Sequence, residues 1–140
     1  MSPGDGHGAR VTTYRHKVRY FEVDQQGVVF NMWYLGYFDE AMSMFLEEGG
    51  LPYQRMLDAG FDVQLVHSEI DWPSSLRWGD EAEVRVALAE RGRTSFTLSF
   101  EVTAAGARVA GGRTVYVVVS TDGSGKLPIP EMLDKALGVS

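Results

Sequence analysis

Hydrophobic and polar residues alternate in several stretches of the chain, which is the pattern of β-strands with one buried face. The alternation predicts strands over residues 11–21, 61–72, 81–88 and 95–102, and a last strand through Val115, Val117 and Val119. It slips near Leu65 and Val66, which indicates a β-bulge, and Gly111-Gly112 predicts a bend or bulge in the last strand. Short glycine-containing connections after residues 90 and 104 indicate antiparallel hairpins.

One long stretch has helical rather than alternating periodicity. Residues 31–48 contain no proline and are followed by Gly49-Gly50 and Pro52, so they predict a helix with Asn31 as its N-cap. Its polar residues form one narrow stripe, and its apolar face is wider than that of a typical surface helix. We therefore expect this helix to be mostly enclosed. The stripe consists of Asp39, Glu40, Ser43 and Glu47.

The order of the predicted elements is a strand, an enclosed helix and then four strands in a meander, with one or two helical turns at 131–137. This order predicts an α+β fold in which a curved antiparallel sheet wraps around one long central helix. A length of 140 residues fits one domain. Residues 1–9 are polar and glycine-rich, and we expect them to be a disordered tail.

Composition and charge exclude several classes of function. The net charge of −6 gives no basic excess for nucleic acid or an anionic membrane surface. The chain has no cysteine, which excludes disulfides, thiolate nucleophiles and cysteine-based metal sites. It shows neither a signal-peptide pattern nor an apolar run of about 18 residues, so we expect a cytoplasmic protein.

Common catalytic motifs are missing from the sequence. It contains no Gly-x-Ser-x-Gly elbow, phosphate-binding glycine loop, Rossmann fingerprint or His-Glu-x-x-His motif. The histidines His7, His16 and His67 are scattered, so no metal site is predicted. We interpret His16 as a partly buried strand histidine.

Asp24 stands at the head of the segment Asp24-Gln25-Gln26-Gly27, just before the predicted helix. An aspartate at the head of a turn commonly accepts hydrogen bonds from the next backbone amides, and this structural role is one interpretation. The other is catalytic, because the unpaired N–H groups and positive dipole end of a helix can polarise a carbonyl that Asp24 would face. A carboxylate beside an oxyanion site suffices for acyl transfer.

The segment Asp24-x-x-Gly27-Val28-Val29-Phe30, followed by Tyr34 and an aromatic, acidic helix, resembles the active-site segment of hotdog-fold acyl-CoA thioesterases. The similar branch is the 4-hydroxybenzoyl-CoA thioesterase-like one. The resemblance implies the hotdog fold, a homodimer or a homotetramer built as a dimer of dimers, and active sites at the subunit interface. It implies no metal or redox cofactor, since coenzyme A is part of the substrate.

The resemblance also implies roles for individual residues. Asp24 would be the nucleophile or general base, the backbone N–H of Asn31 would polarise the thioester carbonyl, and Gly27 would shape the turn between them. Many bacterial relatives carry histidine where this chain has Asn31, which keeps the backbone donor and loses a proton-transfer group. The acyl group would contact Phe30, Met32 and Tyr34, and the nucleotide end of coenzyme A would contact Arg91, Arg93 and Ser95.

Three alternatives stay open from the sequence. A hydratase on the same fold needs a histidine acid or base, which Asn31 does not supply. A non-catalytic acyl-CoA-binding module would need no Asp24, and an acyl carrier protein thioester could replace acyl-CoA as substrate. Arg91 and Arg93 could also be ordinary solvated turn charges. The helix carboxylates Glu40, Glu47 and Glu48 are further candidates, since another branch of the family takes its catalytic acid from the helix.

Overall fold

A computed structural model describes residues 10–138, so the tail predicted for residues 1–9 lies outside the described residues. The strands are β1 (Thr12–Lys17), β2 (Phe61–Asp71), β3 (Glu81–Arg91), β4 (Ser95–Ala104) and β5 (Ala107–Ser120). The helices are α1 (Met32–Glu48), α2 (Tyr53–Asp58) and α3 (Glu131–Leu137), and a single 3₁₀ turn spans Tyr20–Glu22. Of these, the short helix α2 and the 3₁₀ turn had no counterpart in the sequence prediction.

The five strands form one antiparallel sheet in the order β1-β3-β4-β5-β2. The predicted meander is therefore right for β3, β4 and β5, and wrong for β2, which pairs with β5 at the far edge. The connection from β2 to β3 explains this difference. Arg77 forms a bridge with Val28, and the N–H of Val29 donates to the carbonyl of Leu76 at 2.8 Å. The connection thus crosses to the other side of the molecule before β3 begins.

Helix α1 packs across the sheet with its apolar face inward, as its sequence predicts. Six of its side chains are buried, and the ring of Phe38 stacks on that of Phe100 with centroids 4.3 Å apart. Asp39, Glu40, Ser43 and Glu47 are exposed, so the narrow polar stripe is the outer face. The buried residues of α1 are Tyr34, Tyr37, Phe38, Ala41, Phe45 and Leu46.

The first strand is shorter than the sequence predicts. It ends at Lys17, and Tyr20 and Phe21 are exposed rather than strand residues. The backbone turns here because the N–H of Arg19 donates to Glu22 Oε1 at 2.9 Å and the N–H of Glu22 donates to the carbonyl of Arg19. Helix α1 begins at Met32. Asn31 precedes it, but its side chain makes no capping hydrogen bond.

The β-bulge predicted in the second strand is confirmed, because the β2–β5 register shifts between Leu65 and His67. The alternative of a bulge at Gly111-Gly112 is wrong, and the alternative of a bend there stays a prediction. These glycines are regularly paired, and the irregularity in β5 lies at Val109, where the β4–β5 register shifts. Gly112 instead allows close packing, since a Cβ there would collide with the carbonyl of Glu69 in β2 and come within 3.2 Å of the Phe38 ring of α1.

No helix within residues 10–138 is long and apolar enough to cross a membrane.

Candidate active site

The segment between β1 and α1 folds back on itself as a short two-stranded ladder, which we call the Asp24 ladder (residues 22–30). The N–H of Phe30 donates to the carbonyl of Glu22 at 3.1 Å, Val23 bridges Val29, and the N–H of Asp24 donates to the carbonyl of Val28 at 2.9 Å. Asp24 is therefore the last paired residue before the turn that forms the tip of the ladder. The ladder leads directly into α1, because Phe30 is followed by Asn31.

At the tip, Asp24 makes the turn contacts that its sequence predicts. Its Oδ1 accepts the N–H of Gln26 at 2.8 Å, and its carbonyl accepts the N–H of Gly27 at 3.0 Å. Gly27 has a φ of +80°, a conformation that favours glycine, so it closes the turn. Within residues 10–138 the second carboxylate oxygen, Oδ2, has no hydrogen-bond partner, and the side chain is exposed.

The start of α1 presents free backbone donors beside the ladder. The carbonyls of Phe30 and Asn31 accept the N–H groups of Trp33 and Tyr34 at 2.9 and 3.2 Å. The N–H groups of Asn31 and Met32 have no acceptor in the part of the chain that the structure describes. Together with the helix dipole, these donors can stabilise negative charge on a carbonyl oxygen. Because the ladder pairs Glu22 with Phe30, it brings the Asp24 turn and this donor pair into one local unit.

The surface around the ladder is unusually apolar. Phe30 and Met32, which the sequence predicts as acyl contacts, are 53% and 63% exposed. The ring of Phe21 lies edge-on to Trp33 at 5.6 Å, and that of Tyr20 lies edge-on to Trp78 at 5.3 Å. Exposed aromatic residues in this density mark a binding surface, for a ligand or for another protein chain.

Tyr34 lies below this surface and not on it. It is 1% exposed, and its hydroxyl accepts the N–H of Leu76 at 3.1 Å. This contact holds the β2–β3 connection against α1, directly under the ladder. A contact between Tyr34 and an acyl group stays a prediction.

A buried carboxylate that sequence reasoning missed lies at the base of the ladder. Glu22 is 4% exposed, and its Oε1 accepts hydrogen bonds from His16 Nε2 at 2.9 Å and from the hydroxyl of Tyr37 at 3.0 Å, besides the N–H of Arg19. The hydroxyl of Tyr14 lies 2.8 Å from His16 Nδ1. The sequence could have indicated polar contacts here, since the pattern places Tyr14 and His16 on the inward face of β1 and Tyr37 on the inward face of α1.

These contacts keep the two central groups in defined protonation states. Burial alone raises the pKa of Glu22, but the hydrogen bonds from His16, Arg19 and Tyr37 outweigh it and lower the pKa below the ordinary 4.5. Burial, followed by the hydrogen bond to Glu22, strongly raises the pKa of Tyr37. Glu22 is thus a carboxylate and Tyr37 a neutral donor, which explains how a charge is tolerated inside the fold.

The structure places the β3–β4 hairpin far from the ladder. Lys17, which precedes the ladder, pairs with Glu81 at the start of β3, whereas Arg91 ends that strand. The ten residue steps between the two ends correspond to about 33 Å of strand at about 3.3 Å per residue. Within one chain, therefore, Arg91, Arg93 and Ser95 are not brought together with Asp24.

The two hairpin arginines differ in their surroundings. Arg91 forms a bidentate ion pair with Asp134 of α3, with Nε–Oδ1 and Nη2–Oδ2 distances of 2.8 and 2.6 Å. Arg93 is exposed, and its guanidinium makes no hydrogen bond or ion pair with the described residues, although its carbonyl accepts the N–H of Ile129. Of the two, Arg93 is the more available cation for a phosphate.

No group of three or more histidine or acidic side chains suitable for a metal ion occurs within residues 10–138. The ladder and the start of α1 supply one carboxylate and two backbone donors, which is chemistry for acyl transfer.

Comparison with protein-family models gives a match to the thioesterase-like superfamily over residues 12–137. A protein of Aquifex aeolicus named "Putative esterase" is 36% identical over 106 residues, covering 76% of this chain and 83% of the relative. A 1,4-dihydroxy-2-naphthoyl-CoA hydrolase of Nostoc punctiforme is 26% identical over 120 residues, covering 85% of this chain and 81% of the relative.

Among solved structures, a gentisyl-coenzyme A thioesterase superposes with a TM-score of 0.82 and 26% identity. The match covers 89% of this chain and 98% of the other. The sheet curled around α1 is thus the hotdog fold that the sequence predicts.

Proposed function

The chain belongs to the thioesterase-like superfamily and is a thioester hydrolase, and we propose that the Asp24 ladder and the start of α1 form its active site. One observation carries this proposal: among residues 10–138, Asp24 holds one oxygen in a turn and leaves the other without a partner, on a ladder that leads directly into the two open N–H groups of the helix start. The substrate is an acyl-CoA, and the products are the free acid and coenzyme A.

The reaction needs only these groups and water. The thioester carbonyl oxygen accepts the N–H of Asn31, which polarises the carbonyl carbon. Asp24 removes a proton from water while the water oxygen attacks that carbon, and the helix start stabilises the oxyanion that forms. The tetrahedral intermediate then collapses, the C–S bond breaks, and the thiolate of coenzyme A takes the proton from Asp24.

A nucleophilic route uses the same geometry. The free oxygen of Asp24 attacks the thioester carbon directly, coenzyme A leaves, and water hydrolyses the resulting anhydride. A single turnover in ¹⁸O-water identifies the nucleophilic route when water attacks the aspartyl carbonyl, whereas water attack on the acyl carbonyl of the anhydride labels the acid product as general-base catalysis does. Direct attack by Asp24, followed by water attack on the aspartyl carbonyl, leaves the label in the protein, whereas general-base catalysis places it in the acid product.

Asn31 takes part through its backbone in both routes. Its side chain makes no capping hydrogen bond and has no proton to exchange near neutral pH. The donor that polarises the substrate is the main-chain N–H, which any residue except proline supplies. A side chain other than histidine at this position therefore leaves the donor in place, and the lack of an exchangeable side-chain proton disfavours a hydratase mechanism.

We further propose an aromatic acyl group. The exposed rings of Phe30 and Trp33 flank the first residues of α1, where the acyl carbonyl would lie, and flat rings pack well edge-to-face on such residues. The two compared enzymes with a stated substrate act on 1,4-dihydroxy-2-naphthoyl-CoA and gentisyl-coenzyme A, which supports the same class.

The distance between the ladder and the hairpin favours a site shared by two subunits. Because about 33 Å of strand separates them within one chain, we propose that the nucleotide end of coenzyme A meets the partner subunit's Arg93, Arg91 and Ser95 in a homodimer or a dimer of dimers. The exposed apolar surface around the ladder supports such pairing.

Release of free thiol from a panel of aromatic, short aliphatic and long aliphatic acyl-CoAs tests the proposal. We expect the highest kcat/KM with hydroxylated aromatic acyl groups. A protein that binds acyl-CoA and returns it intact would instead be a binding module, and release from acyl carrier protein alone would change the carrier but not the chemistry.

A further inference from the structure

Glu22 and Tyr37 take no part in the reaction described above, yet both are buried, Glu22 at the base of the Asp24 ladder and Tyr37 on α1. Their hydrogen bond, 3.0 Å from the Tyr37 hydroxyl to Glu22 Oε1, joins α1 to the base of the Asp24 ladder. The main chain of the same glutamate makes the first rung of the ladder, through the hydrogen bond from the N–H of Phe30 to its carbonyl. One residue therefore links the helix interior to the ladder.

The remaining contacts of Glu22 prevent its carboxylate from turning away. His16 Nε2 lies 2.9 Å from Oε1 and 3.1 Å from Oε2, and the N–H of Arg19 also donates to Oε1. The imidazole of His16 in turn packs against the Tyr37 ring, with centroids 4.4 Å apart. The carboxylate is thus held from β1, from Arg19 at the start of the 3₁₀ turn and from α1.

The ladder has a second attachment, but on its other strand. Val29 and Val28 pair with Leu76 and Arg77 of the β2–β3 connection. That attachment fixes the side of the ladder that leads into α1. The strand that carries Asp24 is linked to α1 by side-chain hydrogen bonding only through Glu22 among the residues from 10 to 138.

We propose that Tyr37 and Glu22 are positioning residues, whose hydrogen bond sets the distance between the carboxylate of Asp24 and the N–H groups at the start of α1. The inference rests on the proposed function, because it assigns the two residues a role in that reaction. A displacement of about 1 Å in a catalytic group can lower the rate by about 10²-fold. Neither residue touches substrate.

Tyr37→Phe is the sharpest test, because it removes only the hydroxyl and leaves Glu22 bound to His16 and Arg19. Tyr53→Phe is its matched control: the Tyr53 hydroxyl also donates to a carboxylate, Asp62 Oδ2 at 2.8 Å, but Tyr53 is 52% exposed and belongs to α2. We expect Tyr37→Phe to lower kcat by about 10- to 100-fold with little change in KM. Tyr53→Phe should keep both constants.

A double-mutant cycle separates positioning from a general loss of stability. If Tyr37 acts through Asp24, then Tyr37→Phe should cost little further rate in an Asp24→Asn background, so the two losses will not add. Additive losses would overturn the inference, and so would a rise in KM with unchanged kcat.

Amide hydrogen exchange provides a readout that needs no activity. The N–H groups of Asp24 and Phe30 form ladder hydrogen bonds, and in Tyr37→Phe they should exchange at least several-fold faster than in the native protein. The N–H of Gly92, which donates to the carbonyl of Ser95 at 2.7 Å in the distant hairpin, is the reference and should not change. Unchanged exchange in the ladder would overturn the inference whatever the rates show.

The two proposals can fail separately. If the native protein releases no thiol from any substrate, the proposed function fails, and with it the catalytic role of Tyr37 and Glu22, even if faster exchange shows that they order the ladder. If the native protein is active and Tyr37→Phe matches it in kcat, only the positioning role fails.

Should Tyr37→Phe fail to fold, Glu22→Gln provides the second variant, with Glu69→Gln as control. The chain contains both a buried and an exposed histidine–glutamate pair, at 2.9 Å for His16–Glu22 and 3.0 Å for His67–Glu69. A lower kcat in Glu22→Gln but not in Glu69→Gln supports the inference, and equal effects of both substitutions on kcat contradict it.

Discussion

Oδ1 of Asp24 accepts the N–H of Gln26 at 2.8 Å, so the candidate catalytic carboxylate is also a structural element of its own turn. The two interpretations that the sequence left open for Asp24 do not exclude each other. One oxygen orders the turn, and the other stays available for a proton or a thioester carbon.

Because the two oxygens of Asp24 have different roles, Asp24→Asn is the informative substitution. The side-chain carbonyl of asparagine can still accept the N–H of Gln26, so the free energy of unfolding should change little, while the free oxygen loses its basicity. We expect thiol release to fall by about 10²–10⁴-fold, the range that a general base contributes. Asp24→Ala should lose the turn hydrogen bond as well and unfold at lower temperature. An Asp24→Asn variant with native activity would contradict the assignment.

Gly27→Ala tests the shape of the turn. Gly27 has a φ of +80° and open space where a Cβ would lie, so the cost of alanine is backbone strain rather than collision. We expect a loss of about 1–2 kcal/mol in the free energy of unfolding and a lower kcat, because the turn carries Asp24. Gly36→Ala is the control, since Gly36 lies within α1 with similar open space, and alanine there should stabilise the helix by up to about 1 kcal/mol. Thermal unfolding of the two variants and the native protein measures both changes in stability.

The lowered pKa of Glu22 predicts how stability depends on pH. Since its pKa in the folded protein lies below the ordinary 4.5, its contribution is fully present above about pH 4.5 and is lost as the pH falls through the folded value. Glu22→Gln should therefore be less stable than the native protein at pH 7, by about 1–3 kcal/mol, and the difference should shrink below pH 4.5. Urea unfolding across this range measures it. A constant difference would mean that Glu22 is not a buried carboxylate.

Mixing subunits tests the shared site. In a dimer that combines Asp24→Asn with Arg93→Ala subunits, one of the two sites would regain both Asp24 and the partner subunit's Arg93. Arg93→Ala alone should raise KM about tenfold, the equivalent of one charge-assisted hydrogen bond, with kcat unchanged. We expect the mixture to show activity at native KM that neither parent shows. If each chain instead carries a complete site, mixing will restore nothing.

Several elements of the fold were predictable because they depend on neighbours along the chain. Examples are the alternation in β3 and β4, the helical spacing of α1 and the bulge in β2. Each is a local pattern of hydrophobic and polar residues that arises whenever one face of an element is buried. The turn at Asp24 and Gly27 is equally local, since the hydrogen bond to Gln26 spans two residues.

The tertiary structure decided what local patterns leave open. The alternation of β1 predicts that Tyr20 faces inward with Tyr14, His16 and Val18. Tyr20 is instead 71% exposed, because the hydrogen bond from the N–H of Arg19 to Glu22 turns the chain there. The pairing of β2 with β5 depends on the path of residues 72–80. The partners of Glu22 come from β1 and α1, and the hairpin cation Arg91 is bound by Asp134, which lies 43 residues away.

The sequence by itself determined most of the strands, the long helix and the position of the candidate catalytic carboxylate. Only the tertiary structure decided that this carboxylate's ladder is linked to the helix through the buried pair Glu22 and Tyr37, and that it lies a full strand length from the hairpin arginines. The physical reason is that burial and hydrogen bonding of a polar group depend on atoms distant in the chain, whereas periodicity records only that one face of an element is buried.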